Sequence, residues 1–304
     1  MKTVRGLGAA GVALFICAAS VGVSNGQAVQ RNFVLLFDIL DYTPEMGKAV
    51  AFFYNDVLAP DDQLIIYSPA RAYGFSKNTL AKPKRELIAA MQENLRKDAA
   101  ACGQNVHNIF NEMSVQARAI EGVSGTAGDA LISLKNSLAM YRQDVNNLDS
   151  LRKVDESLLE KIVEMFKVQP GQNHMIMIYQ AEFRPIPNKE TVTRLRSVPE
   201  IAFQVSELFA SDDQKAPLNA SRFIDVFNSG RVILHFLYIK PKDKSSVQDF
   251  KEHSADMFDV FSMIAKATGG IVETTANPEA ALKSVVRQMG KTSSGETRYG
   301  KLDP

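Results

Sequence analysis

The sequence predicts an α/β protein built on a three-layer, doubly wound, mostly parallel sheet flanked by helices. Three observations predict it. First, the runs Phe33 to Phe37, His174 to Tyr179 and Val232 to Ile239 are apolar without polar alternation, as in strands buried on both faces. Second, segments with apolar residues at helical spacing separate these runs. Third, the first run ends in an acidic turn that opens straight into a helix start. There Thr43, Pro44 and Glu45 read as an N-cap, a first-turn proline and a first-turn acid.

The elements follow in order. Met46, Val50, Phe53 and Val57 recur on one helix face, Pro60-Asp61-Asp62 is a turn, and Gln63 to Tyr67 is the second strand. Arg71 to Ser76 alternates as a short edge strand. Residues 84 to 120 carry two helical patterns, Leu87/Met91/Leu95 and Val106/Ile109/Phe110/Met113, and read as a helical insertion. Gly122 to Thr126 breaks the pattern, and helices restart at Ala130 and at Leu158. Pro170-Gly171 turns into the His174 strand, Pro185 to Pro187 marks a loop, and helices fill much of 189 to 209 and 219 to 228. After the Val232 strand, Val247, Phe250, Phe258, Phe261 and Ile264 are expected to line one helix that stops at Gly269-Gly270. Ile271 to Glu273 is a short strand, and Asn277-Pro278-Glu279 caps a last helix. Residues 291–304 read as a polar tail.

The chain has 304 residues, 45% hydrophobic and 23% charged, enough for a large core. Residues 1–28 stand apart as a secretory signal peptide. Lys2 and Arg5 form its basic start, Ala9 to Val23 its apolar stretch, and Gly26 and Ala28 the small residues before cleavage at Val29. The stretch is short for a membrane span of about 20 residues. A lipid anchor on Cys17 is not expected, because Leu14-Phe15-Ile16 lacks the small neighbour such a signal uses. The expected location is therefore periplasmic or secreted, with no transmembrane span in the mature chain. Cleavage removes two cations and moves the formal charge from +1 to −1, and no dense basic run suggests a nucleic-acid partner. Cys102 then remains the single cysteine and reads as a small buried apolar residue.

Asp38, Asp41 and Thr43 follow the first strand, where ligand sites of open α/β sheets lie. Three places carry a family resemblance: the opening strand ending in Asp38; Ser124-Gly125-Thr126 ahead of Gly128-Asp129-Ala130-Leu131; and Ile264 to Gly270 with Asn277 to Leu282. The layout resembles a von Willebrand factor A-like domain, of the divergent exported type found in bacteria, over residues 29–290. In that family the loops above the sheet hold a divalent cation, on an aspartate, two alternate serines, a threonine and a later aspartate. The resemblance matches Asp38 to the first aspartate and Thr126 to the threonine. Leu40 and Tyr42 stand where the serines would be, and Gln180-Ala181-Glu182 where the later aspartate would be. It therefore implies a degenerate metal site on Asp38 and Thr126, with no cofactor expected, and Mg²⁺ the ion it would take if retained.

Other chemistry is poorly supported. Haloacid dehalogenase-type phosphatases also end a strand in paired aspartates, but their spacing of two puts both on one side, whereas Asp38 and Asp41 are three apart. There is no Gly-x-Gly-x-x-Gly after the first strand, no P-loop, no His-Glu-x-x-His and, beyond residue 28, no Gly-x-Ser-x-Gly. His174 and His235 read as packed strand residues. The expectation is a protein-binding or scaffolding module rather than an enzyme, meeting an unknown protein partner through Asp38, Asp41, Thr43, Ser124, Thr126 and Glu182. The alternatives are a Mg²⁺-dependent adhesion domain and a haloacid dehalogenase-like phosphatase.

Overall fold

The apolar run that begins at Phe33 becomes the middle of a sheet. The computed structural model describes residues 30–293 except 60, 76, 126, 153, 210–217 and 241–248. Residues 1–28, read as a signal peptide, lie outside them, as do residues 294–304 of the expected tail. In chain order the strands are β1 (Arg31–Asp38), β2 (Gln63–Tyr67), β3 (Ala72–Phe75), β4 (Gln172–Gln180), β5 (Phe183–Ile186), β6 (Val232–Ile239), β7 (Asp249–Glu252) and β8 (Val272–Thr275). The main sheet has the order β3-β2-β1-β4-β6-β8. All its pairs are parallel except β2 with the edge strand β3. Leu35 sits between Ile66 of β2 and Ile176 of β4.

Side chains of β1 alternate between two cores, as the pleat requires. Phe33, Leu35 and Phe37 pack with α1 (Pro44–Phe52) and with α10 (Pro278–Ser293). Val34 faces the opposite layer, formed by α5 (Glu156–Lys167), α8 (Ala220–Ser229) and α9 (Ala255–Ala267). These are the three layers of a doubly wound fold. Thr43 caps α1 as expected, accepting from the Met46 N–H at 3.4 Å. The helix then widens into a π-helical turn over Phe53–Val57.

Residues 84 to 120 differ from the two separate patterns read in the sequence. They belong to one 39-residue helix, α3 (Lys84–Gly122), about 58 Å long at the usual rise. Its first half, Leu87, Met91, Leu95 and Ala99, packs against the α1 layer. Its second half, Val106, Met113 and Ile120, leaves the sheet and packs on α4 (Gly128–Leu151), α6 (Lys189–Arg196) and α7 (Ala202–Phe209). The apolar pattern changes because the environment changes, not because the helix stops. A short helix, α2 (Lys77–Leu80), precedes it.

Two further expectations are corrected. Pro185 lies in β5, which pairs antiparallel with β7 in a separate two-stranded sheet; proline is tolerated in such edge strands. Phe250 is in β7 and 37% exposed, so the following helix starts only at Ala255; Val247 lies outside the described residues. The Gly269 stop is as expected, with φ +77°. Helix α10 runs on to Ser293, through the first residues of the expected tail. No helix of the described residues is long and apolar enough to cross a membrane.

Candidate functional site

The parallel strands turn away from each other between β1 and β4. From β1 the chain winds outward through β2 and β3, and from β4 it winds the other way through β6 and β8. At such a switch point the loops after the two central strands separate and leave a crevice at their carboxyl ends. A cavity of about 390 Å³ lies there. Its floor is the end of β1, Leu36 to Asp38, and the end of β4, Met177 and Tyr179. The turn after β2, at Ser68, closes one side, while Cys102 and Asn105 of α3 close another. Leu151 and Arg152 at the end of α4, and Asp155 and Leu158 at the start of α5, complete the wall.

Several polar wall residues have a reason to be where they are. Asp155 is the N-cap of α5 and accepts from the Leu158 N–H at 2.9 Å. Ser68 donates at 2.6 Å to Asp98, a buried carboxylate of α3 that also accepts from Tyr73 at 2.6 Å and pairs with Arg71 at 2.9 Å. Asp98 thereby ties the β2–β3 turn to α3. Arg152 is buried and reaches three carboxylates. It bonds Asp256, and its guanidinium lies 3.6 Å from Glu182 and 3.7 Å from Asp149. Burial works against the Arg152 charge, but Tyr179, Glu182 and Asp256 outweigh it and raise its pKa. Asp149 in turn meets His253 at 2.9 Å. Burial, with the carboxylates of Glu182 and Asp38 nearby, holds the Tyr179 phenol well above its usual pKa, so it stays protonated.

The loop from β1 to α1 is clamped from two sides. Gln180 Oε1 accepts from the N–H groups of both Leu40 and Asp41, at 2.9 Å each. From above, α3 crosses so closely at Gly103 that a Cβ there would stand 2.3 Å from the Leu40 carbonyl oxygen. Only glycine allows that approach.

The residues singled out in the sequence therefore separate. Asp38 is exposed at the mouth of the cavity, and Glu182 is buried in its wall. Asp41 is exposed on the rim and turned to His107 of α3, 2.9 Å away. Thr43 caps α1 and does not line the cavity. Ser124 is exposed on the α3–α4 loop, where Arg194 of α6 bonds the Val123 carbonyl and Gly125 lines a separate surface hollow. Thr126 lies outside the described residues. Sequence reasoning missed Ser68 and Arg152, which come from segments with no shared spacing. Cys102, read as buried, is half-buried against the cavity.

Among the described residues, the side chains beside Asp38 are not gathered into the octahedral oxygen shell that Mg²⁺ demands. Leu40 points into the α3–α4 core, Asp41 is engaged by His107, and Ser68 by Asp98. Among the described residues no group of three His, Cys, Asp or Glu side chains is gathered to hold a metal ion.

No family model matches this chain, and no curated protein matches it. Among solved structures it is similar to an aerotolerance-related membrane protein from Bacteroides fragilis bearing multiple mutations to serine. That match has 9% identity and TM-score 0.35, covering 87% of this chain and 100% of the other. It is also similar to the conserved hypothetical protein BatB from Bacteroides thetaiotaomicron, at 11% identity and TM-score 0.36, covering 88% and 100%. A third similar structure is the TFIIH p34 N-terminal domain, at 9% identity and TM-score 0.28, covering 84% and 96%. These values say nothing of what the chain binds or does.

Proposed function

We propose that the chain is an exported, von Willebrand factor A-like protein-binding module that meets its partner through the rim at the carboxyl ends of β1 and β4. The observation that carries this reading is the switch-point cavity, with Asp38 at its mouth and the clamped Leu40-Asp41 loop beside it. A rim held by Gln180 and Gly103 is ordered before a partner arrives, which lowers the entropy cost of association. The two rim aspartates serve different neighbours, Asp38 the cavity and Asp41 His107, so they do not act as a paired acid and base on one group.

Affinity capture tests the rim. A partner retained by the unaltered chain is lost with Asp41→Lys and kept with Asp225→Lys, on the exposed face of α8. Loss with both substitutions, or with neither, overturns the reading. Export is tested separately: N-terminal sequencing of the protein recovered outside the cytoplasm begins at Val29, and recovery of an uncleaved cytoplasmic chain overturns it.

A further inference from the structure

We infer that the cavity beside Asp38 is an anchor pocket for one basic side chain, arginine or lysine, presented by the partner. This rests on the reading of the strand-end rim as the binding face. The shape and the charge of the cavity both carry it. Its walls are apolar along most of their depth, through Leu36, Val154, Leu158 and Met177, and suit an alkyl stem. About 390 Å³ is ample for one long side chain.

Charge decides the head group. Among the described residues, Asp38, Asp155 and Glu182 line the cavity against one cation, Arg152. That cation is already shared among Asp256, Glu182 and Asp149. The surplus among the described residues is therefore acidic. The N-terminus of α5 opens onto the same space and by itself favours an anion, but the Asp155 carboxylate caps it and offsets that field. Asp38 and Asp155 are exposed at the mouth and Glu182 is buried deeper. An entering cation thus meets carboxylates both at the mouth and within. A bare metal ion would leave the apolar walls uncovered, whereas an alkyl-ammonium or alkyl-guanidinium group covers them. Long cationic side chains with apolar stems are well suited to such mixed sites.

Calorimetry on the full chain with n-hexylamine tests the pocket, with n-hexanol and hexanoate as neutral and anionic controls of the same length. Hexylamine binds, both controls bind at least about tenfold more weakly, and Asp38→Asn weakens hexylamine about threefold. Asp225→Asn leaves its affinity unchanged. Hexanoate binding as tightly as the amine, an Asp38→Asn affinity equal to that of the unaltered chain, or no heat from hexylamine overturns the pocket. If the Asp41→Lys capture result holds while hexylamine gives no heat, the pocket fails and the rim stands. Where hexylamine binds, it also releases the captured partner; a partner that stays bound at saturating amine overturns the side chain as the occupant.

Discussion

Gly103 of α3 packs under the carbonyl of Leu40, close enough that a Cβ would lie 2.3 Å from the oxygen. Replacing a mid-helix glycine by alanine ordinarily stabilises by about 0.5–1 kcal/mol. Here the obstacle is backbone, which cannot swing aside. Gly103→Ala is expected to destabilise by about 1–3 kcal/mol instead. Gly122, in the same helix, has open space around it, with no heavy atom within 4 Å of where a Cβ would stand, so Gly122→Ala is neutral or stabilising. Urea unfolding of the two variants reads the difference in sign. Equal effects would remove the clamp from the account of the rim.

Arg152 is the cation at the centre of a buried acidic group. Arg152→Met removes the charge shared by Glu182 and Asp256 and is expected to cost about 3–5 kcal/mol. Adding Glu182→Gln and Asp256→Asn removes the exposed imbalance, so the triple variant recovers part of that loss. A triple variant less stable than Arg152→Met alone would show that the carboxylates have other roles.

His174 and His235 stack inside the sheet, with ring centroids 5.5 Å apart and Nδ1 of one 3.2 Å from Nε2 of the other. Burial is the main cause that lowers their pKa values, to about 4 and about 3 from an ordinary 6.5, with Arg31 adding to the first and His174 to the second. Both are neutral in the native state. Below pH 6.5 the unfolded chain takes up protons that the native chain refuses, so stability falls as pH drops towards the folded values. The slope is about 1.4 kcal/mol per pH unit for each histidine, and it vanishes above pH 6.5. Urea midpoints at pH 7.5 and pH 5 check this, with a His174→Leu/His235→Leu variant expected to show the flatter profile.

The described side chains around Asp38 are engaged elsewhere, Asp41 with His107 and Ser68 with Asp98, so Mg²⁺ at millimolar concentration is expected to release no heat on mixing with the chain. The retained-metal alternative expects the opposite: heat that disappears with Asp38→Ala and with Thr126→Ala. A phosphatase expects turnover of p-nitrophenyl phosphate with Mg²⁺ that vanishes with Asp38→Asn.

The central strands, the cap of α1 and the Gly269 stop were readable because each depends on residues within one turn or one pleat. The place of Asp38 at a strand end was readable for the same reason. The cavity was not. It gathers Ser68, Cys102, Arg152 and Glu182 from four separate segments, and nothing in local spacing brings them together. Leu40 shows the same difficulty from the other side. Its position in the chain suggests a loop facing the site, yet α3 covers it and draws its side chain into a core. β5 escaped notice because proline argues against a strand unless the strand is an edge.

The pairing of β1 with β4 has a consequence for how the molecule is made. Asn32 waits for Asn173, its register partner, across most of the helical roof. At translation rates of about 5–20 residues per second, the greasy segment spends on the order of ten seconds with one flank open. Chains halted on the ribosome before residue 172 are expected to stay protease-sensitive throughout that segment, and chains released past residue 240 to resist. Until β4 is made, the inner flank of β1 is an open edge onto which a wrong strand can pair.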